Sequence, residues 1–219
     1  MNYSEIANIA VSIISVGIAL VALFQTKQQI ALSNKQQLFD RRLSCFFELN
    51  TIYSLYAANK LYLKDDSTFY HTNDLIFSWL TNCSEMEEMA LAVSKPLHQK
   101  EQTILLTKYE RLKNSAIEIA MIFDGNAAKT AEEFISSFAD LLKTMYQQQV
   151  YISKLKAQES ADKTPLYLED YEEKCRKMAE SLGLFELRNK LEQLEDEIAQ
   201  KCVIEALKNS LRLTKVTNY

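Results

Sequence analysis

The chain has 219 residues, of which 47% are hydrophobic and 25% are charged, and its formal net charge is −4. This balance excludes a disordered chain, because it contains enough apolar residues to form a core. Only 3 Gly and 2 Pro are present, which excludes Gly-rich phosphate-binding loops and a sheet fold with many tight turns. The prediction is an all-α fold. The negative charge, without Lys and Arg clustered among aromatic residues, also predicts no nucleic-acid partner.

The first predicted element is a transmembrane helix over residues 6–24, IANIAVSIISVGIALVALF, which holds nineteen residues and no charge. As a helix it is roughly 28 Å long, close to the thickness of a bilayer core. A cleaved signal peptide is disfavoured, because MNYSE lacks a basic residue and no small-x-small site follows. A buried helix of a soluble protein is the other alternative. The resulting organisation is an extracytoplasmic N-terminus (1–5), the transmembrane helix (6–24), a stalk (25–37) and a helical bundle (38–219).

Basic residues next to the apolar segment predict the orientation of the chain. Lys27, Lys35, Arg41 and Arg42 follow the segment, and no Lys or Arg precedes it. The positive-inside bias then predicts a single-pass protein of the cell inner membrane with its C-terminal domain in the cytoplasm. We also expect these membrane-proximal basic residues to attract anionic membrane lipid.

A stripe of small and weakly polar residues follows the transmembrane segment in steps of four and three: Asn8, Ser12, Ser15, Ala19 and Ala22. Such a stripe lets membrane helices approach closely, and each hydrogen bond across it contributes about 1 kcal/mol. We therefore interpret it as an association face for a second copy or for another membrane helix. The alternative is that Ser and Ala are simply common in membrane helices.

The region after the stalk is predicted to be an antiparallel helical bundle, because apolar residues recur every 3.5 positions. Turn and cap signals end the first helix at about residue 63 and place the others at about 73–93, 95–123, 130–158, 166–181 and 184–214. The last helix is coiled-coil-like, with a seam of Leu184, Leu187, Leu191, Leu194 and Ile198. This seam packs either on the chain's own bundle or on a partner protein, and we take it as the candidate partner surface.

Local signals mark two of these boundaries. Asp124-Gly125-Asn126 is a turn signal, and Thr130 with Glu133 forms a capping box that predicts the start of the next helix. Gly183 predicts the end of the helix before it.

The sequence contains no arrangement typical of catalysis or metal binding. Its two histidines, His71 and His98, belong to neither an HExxH nor an ExxH motif. We interpret the acidic run of Glu192, Glu195, Asp196 and Glu197 as a solvated outer face, with contact to a basic patch of a protein partner as the alternative. The four cysteines form no CxxC pair and are interpreted as reduced, apolar packing residues: Cys45, Cys83, Cys175 and Cys202. The prediction is therefore no catalysis, no cofactor, no metal and no small-molecule substrate.

The stretch Gln36-Gln37-Leu38-Phe39-Asp40-Arg41-Arg42-Leu43, which runs into Phe46-Phe47-Glu48, resembles a recurring type of uncharacterised bacterial membrane protein. Such proteins have one N-terminal transmembrane helix, a Gln-rich stalk, a short Phe-Asp, basic, aromatic and Glu patch, and a helical cytoplasmic domain. Their usual Tyr is replaced here by Phe46 or Phe47. The resemblance covers about fifty residues and implies a topology but no reaction.

These observations favour a membrane-tethered interaction, scaffold or regulatory subunit that acts through helix–helix assembly. The alternative is a small membrane effector or sensor, for instance in bacterial stress or phage defence, which acts by oligomerisation of its anchor. A helical enzyme is the third class, and no constellation in the sequence supports it.

Overall fold

The computed structural model describes residues 3–64, 88–89, 91–93, 99–162 and 168–211 of the chain. These ranges contain helices α1 (Tyr3–Lys64), α2 (Gln99–Ile122), α3 (Asn126–Asp162), α4 (Leu168–Ser181), α5 (Leu184–Gln200) and α6 (Val203–Ser210). Residues 88–89 and 91–93 are helical as well, and no strand occurs in the described ranges. The predicted all-α class is confirmed.

The chain divides into two compact units, Met1–Leu43 and Ser44–Tyr219. In the first unit, every side chain from Val11 to Leu38 is exposed. The described side chains of this unit therefore form no core of their own, and its helical conformation relies on backbone hydrogen bonds and on good helix formers such as Gln, Lys, Ala and Leu. We call the second unit the helical domain.

Helix α3 is the central element of the helical domain and packs on α2, α4, α5 and α6. Its apolar stripe is buried from Phe134 to Leu155, as the 3.5-residue period predicts. The last turns of α1 also reach this core, because the rings of Tyr53 and Tyr56 lie 6.0 and 5.7 Å from the ring of Phe134. The buried positions of α2 likewise follow the predicted stripe, from Leu105 to Phe123.

The predicted start of α3 at residue 130 is wrong. The helix begins at Asn126, directly after Gly125, whose φ of 88° is the left-handed turn conformation that glycine adopts without strain. Ala128 and Ala131 are buried in the first turns, so burial of this face favours the earlier start. Thr130 is a buried residue inside the helix, and the capping box does not form the N-terminus.

The C-terminal region is two helices and not one. Gly183 ends the preceding helical segment with a left-handed φ of 69°, as predicted. The predicted single helix over 184–214 is interrupted after Gln200, where Cys202 has a φ of 50°. The interruption turns the chain so that Val203 and Leu207 join the core, while Cys202 is exposed. The interpretation of Cys202 as a packing residue is therefore wrong, whereas Cys45 and Cys175 are buried as predicted.

Two other predictions lie largely outside the described residues. The helix expected over 73–93 is described only at 88–89 and 91–93, which are helical. Of these, Met89, Ala92 and Val93 belong to the core. Cys83 lies outside the described ranges.

Candidate functional site

The N-terminal part of α1 exposes large apolar side chains over about two thirds of its circumference. Nine of them between Val11 and Phe24 are exposed to about the same degree: Val11, Ile13, Ile14, Val16, Ile18, Leu20, Val21, Leu23 and Phe24. Successive helix positions turn by about 100°, so these residues cover about two thirds of the circumference, and the uncharged stripe of Ser12, Ser15, Ala19 and Ala22 covers the rest. A helix with no charged face is typical of a membrane span or a buried core, whereas a helix lying on the membrane surface has one strongly polar face.

This stretch is long and apolar enough to cross a membrane. Among the described residues one candidate span is found, within Val11–Ala58 of α1, and none of its 18-residue apolar window is buried inside the protein. A core helix of a soluble protein is mostly buried, and this window is not, whereas a signal sequence near an N-terminus has the same length and composition.

The stripe expected to form an association face is exposed along α1. The hydroxyl groups of Ser12 and Ser15 donate to the backbone carbonyl oxygens of Asn8 and Val11, at 2.9 and 2.8 Å. Each of these polar groups therefore has a partner within its own helix, which makes it compatible with a hydrocarbon environment. Ala19 and Ala22 are exposed on the same stripe.

The membrane-proximal basic residues lie on α1 after the apolar segment. Lys27, Lys35 and Arg41 are exposed, and Arg42 is half-buried. The charge that the sequence places after the apolar segment is thus accessible on at least three side chains.

The structure does not leave the C-terminal seam free for a partner. Leu184, Leu191, Leu194 and Ile198 are buried in the chain's own core, and Leu187 is half-buried against it. The candidate partner surface is therefore corrected to an internal contact, since α5 packs its apolar stripe on α3.

A polar cluster joins α2 to α3. The ammonium group of Lys113 donates to the hydroxyl of Ser136 at 2.6 Å and to both oxygens of Asp140 at 3.1 and 2.9 Å. Tyr109 donates its hydroxyl to Asp140 at 2.9 Å, and burial, together with that carboxylate, raises the pKa of Tyr109. The cluster therefore cross-links two helices.

A second ion pair joins the end of α1 to α5. Lys60 donates to both carboxylate oxygens of Glu195, at 2.9 and 2.8 Å, although the two residues are 135 positions apart. Glu195 is only 6% exposed, so the interpretation of the whole acidic run as a solvated face is wrong at this position. The hydrogen bond to Glu195 raises the pKa of Lys60. Burial, followed by the charge of Glu195, raises that of Tyr53.

Sequence reasoning missed this pair because no local signal connects residues so far apart. The acidic run and the lysine each look like ordinary helix surface, and only tertiary packing brings them together. Within the described residues, no group of three or more His, Cys, Asp or Glu side chains is arranged to hold a metal ion.

No protein-family model matches this chain, and neither a curated protein nor a solved structure is significantly similar to it.

Proposed function

We propose that this protein is a membrane-tethered interaction module, a scaffold or regulatory subunit that acts through assembly of helices and not through catalysis. The observation that carries the proposal is the exposure of every residue from Val11 to Phe24, all of them uncharged and nine of them large and apolar. About 25 cal/mol of unfavourable hydration accompanies each Å² of apolar surface left in water, so this segment requires an apolar environment. Insertion into a bilayer provides that environment for all sides of the helix at once.

The proposed topology places the helical domain in the cytoplasm and the residues before the span on the other side of the inner membrane. Support comes from Lys27, Lys35 and Arg41, which are exposed after the apolar segment. A positive flank is retained on the cytoplasmic side and attracts anionic lipid.

The proposed assembly uses the stripe from Asn8 to Ala22, because the former candidate seam on α5 is internal. The hydroxyl groups of Ser12 and Ser15 donate to backbone carbonyl oxygens of their own helix. Ala19 and Ala22 allow another helix to approach closely. A second copy of the chain or the membrane helix of another subunit fits this face.

Membrane insertion is tested with a matched pair of charge substitutions in the full chain. Ile18 and Leu32 are exposed to 65% and 66% of their surface, so they differ in position and not in accessibility. A Lys at the centre of a membrane helix costs about 2.5–3.5 kcal/mol on insertion scales. We expect Ile18→Lys to lower the fraction that resists carbonate extraction of membranes and Leu32→Lys to leave it unchanged. Equal extraction of both variants and the wild type would refute the span.

Orientation is tested with the exposed Cys202 and with Ser4→Cys. A membrane-impermeant maleimide added to intact cells should label Ser4→Cys and leave Cys202 unlabelled until the cells are opened. Labelling of Cys202 in intact cells would reverse the proposed orientation while leaving the anchor itself intact.

Assembly is tested by oxidative cross-linking of single cysteines in native membranes. Ser15→Cys lies on the proposed face, and Ile14→Cys lies about 100° away on the same helix turn. We expect a disulfide-linked dimer with the first and not with the second. A cross-link to a different protein would favour a heteromeric subunit, and no cross-link at Ser15→Cys would exclude this face.

A further inference from the structure

Helix α4 contributes little to the core of the helical domain. Among its side chains from Asp170 to Ser181, only Cys175 and Ala179 are buried. Both are small. The next helix, α5, buries Leu184, Leu191, Leu194 and Ile198. Since stabilisation by burial scales with the apolar area removed from water, α4 is held much less firmly than α5.

The two buried residues of α4 belong to different clusters. Ala179, near the C-terminal end, joins the main core. Cys175 packs with Ile152 and Leu155 of α3 in a separate small cluster, against which the half-buried Tyr171 of α4 also packs. The end of α4 nearest α5 is therefore attached to the main core, and its preceding half is attached to a satellite of three buried residues.

A buried side chain between α3 and α4 is only partly satisfied. Gln148 is 2% exposed, and its Nε2 donates to the backbone carbonyl oxygen of Cys175 at 2.9 Å. Among the described residues, its Oε1 is buried without a hydrogen-bond partner. An unpaired buried acceptor destabilises the packing of α4 on α3, because water donates a hydrogen bond to the same oxygen once the two helices separate.

Helix α4 also carries stabilising contacts within itself, which do not depend on its packing against α3. Arg176 pairs with Glu173 and Glu180, and Lys177 pairs with Glu173, all at spacings of three or four residues within the helix. Gly183 follows with a left-handed φ of 69°, a conformation that glycine adopts and leaves easily. The ion pairs within α4 thus stabilise the helix by itself, and Gly183 is a flexible position next to the end that is attached to the main core.

We propose that α4 is a hinged flap of the helical domain, which opens about Gly183 and uncovers the apolar side chains of Ile152 and Leu155 on α3. The opening starts at the end of α4 far from Gly183 and leaves α2, α3 and α5 packed. This motion is a conformational device within the helical domain and does not depend on how the protein is anchored.

Two buried cysteines make the motion measurable in the full chain. Cys175 lies on the buried face of α4, and Cys45 lies in the main core. Replacing Cys83 and Cys202 by Ser leaves these two as the reactive groups. The Cys175 thiol is buried, so it reacts with iodoacetamide only in states that expose it to solvent.

We expect Cys175 to be alkylated at least about tenfold faster than Cys45 under native conditions, because local opening requires less free energy than global unfolding. Hydrogen exchange of the wild-type protein should show the same order, with the amides of α4 exchanging before those of α2 and α5. Equal alkylation rates, or exchange of all these helices together, would overturn the proposal.

The unsatisfied glutamine supplies a sharper test with a matched control. Gln148→Met keeps the length of the side chain and removes both the unpaired acceptor and the hydrogen bond to Cys175. The unpaired acceptor costs more than that hydrogen bond contributes, so the net effect favours the packed state. Gln147→Met changes an exposed neighbour. We expect the first variant to slow the alkylation of Cys175 by about fivefold and the second to leave it unchanged, with Cys45 unaffected in both. Faster or unchanged alkylation of Cys175 in Gln148→Met would contradict the proposed role of the buried amide.

Discussion

The substitution Lys60→Met tests whether the ion pair between α1 and α5 stabilises the helical domain. It leaves the carboxylate of Glu195, which is 6% exposed, without the two hydrogen bonds that Lys60 donates. Removing one partner of a buried pair costs about 3–5 kcal/mol. Because the side chain of Lys60 is itself 33% exposed, water reaches part of the site, and we expect a loss of about 2 kcal/mol in the free energy of unfolding.

The control and the companion variants distinguish the cost of leaving the buried carboxylate of Glu195 unpaired from the cost of losing an ion-pair contact. Lys201→Met breaks an exposed pair with Glu197 on the same helix and should cost no more than about 0.5 kcal/mol. Glu195→Gln removes the charge instead of stranding it and should cost about 1 kcal/mol. The double variant Lys60→Met with Glu195→Met should be closer to the wild type than Lys60→Met alone, since apolar side chains replace the pair.

The assay is urea unfolding of the full-length protein in mild detergent, followed by far-ultraviolet circular dichroism. The shift in midpoint at constant slope gives the change in free energy of unfolding. If Lys60→Met and Lys201→Met shift the midpoint equally, Glu195 is hydrated and the reasoning from its burial is wrong.

Three further predictions concern the same domain. The hydrogen bond to Glu195 raises the folded-state pKa of Lys60 above its ordinary value of 10.5. The stabilisation that the ion pair provides is therefore complete below pH 10.5 and is lost as the pH rises through the raised folded-state pKa. The difference in urea midpoint between wild type and Lys60→Met should be constant from about pH 7 to 9 and shrink above about 10.5. Leu191→Ala should lower the free energy of unfolding by about 2–5 kcal/mol, because Leu191 is fully buried, whereas Leu106→Ala at an exposed position should change it by less than about 0.5 kcal/mol. Gly125→Ala should cost about 1 kcal/mol through its φ of 88° alone, since nothing lies within 4 Å of the added methyl group; a thermal shift larger than that of Leu191→Ala would contradict this origin.

Much of the architecture could be predicted from local sequence. The scarcity of Gly and Pro and the 3.5-residue stripes predict helices, and the buried stripe of α3 follows the predicted positions from Phe134 to Leu155. The apolar run at residues 6–24 predicts a candidate span because length and composition are sufficient for that inference. Gly183 predicts a helix end because the residue type and the required conformation coincide.

Helix boundaries at residues 126 and 201 could not be read from caps alone. The capping box at Thr130 is a valid local signal, yet burial of Ala128 and Ala131 outweighs it. In the same way, the sequence favours a continuous helix through Cys202, yet the left-handed backbone conformation of Cys202 redirects the chain so that Val203 and Leu207 are buried in the core. Tertiary packing decides such cases because burial of several side chains outweighs a single cap of about 1 kcal/mol.

The sequence by itself determined the helical class, the candidate membrane segment and the faces of α2 and α3 that become buried, since each depends on residues close together in the chain. Only the tertiary structure decided that the seam of α5 is internal, that Glu195 is paired with Lys60 and that Gln148 is left partly unsatisfied under α4. Those three outcomes depend on contacts between helices distant in sequence. A periodic pattern specifies which face of a helix is apolar, but it does not specify which surface covers that face.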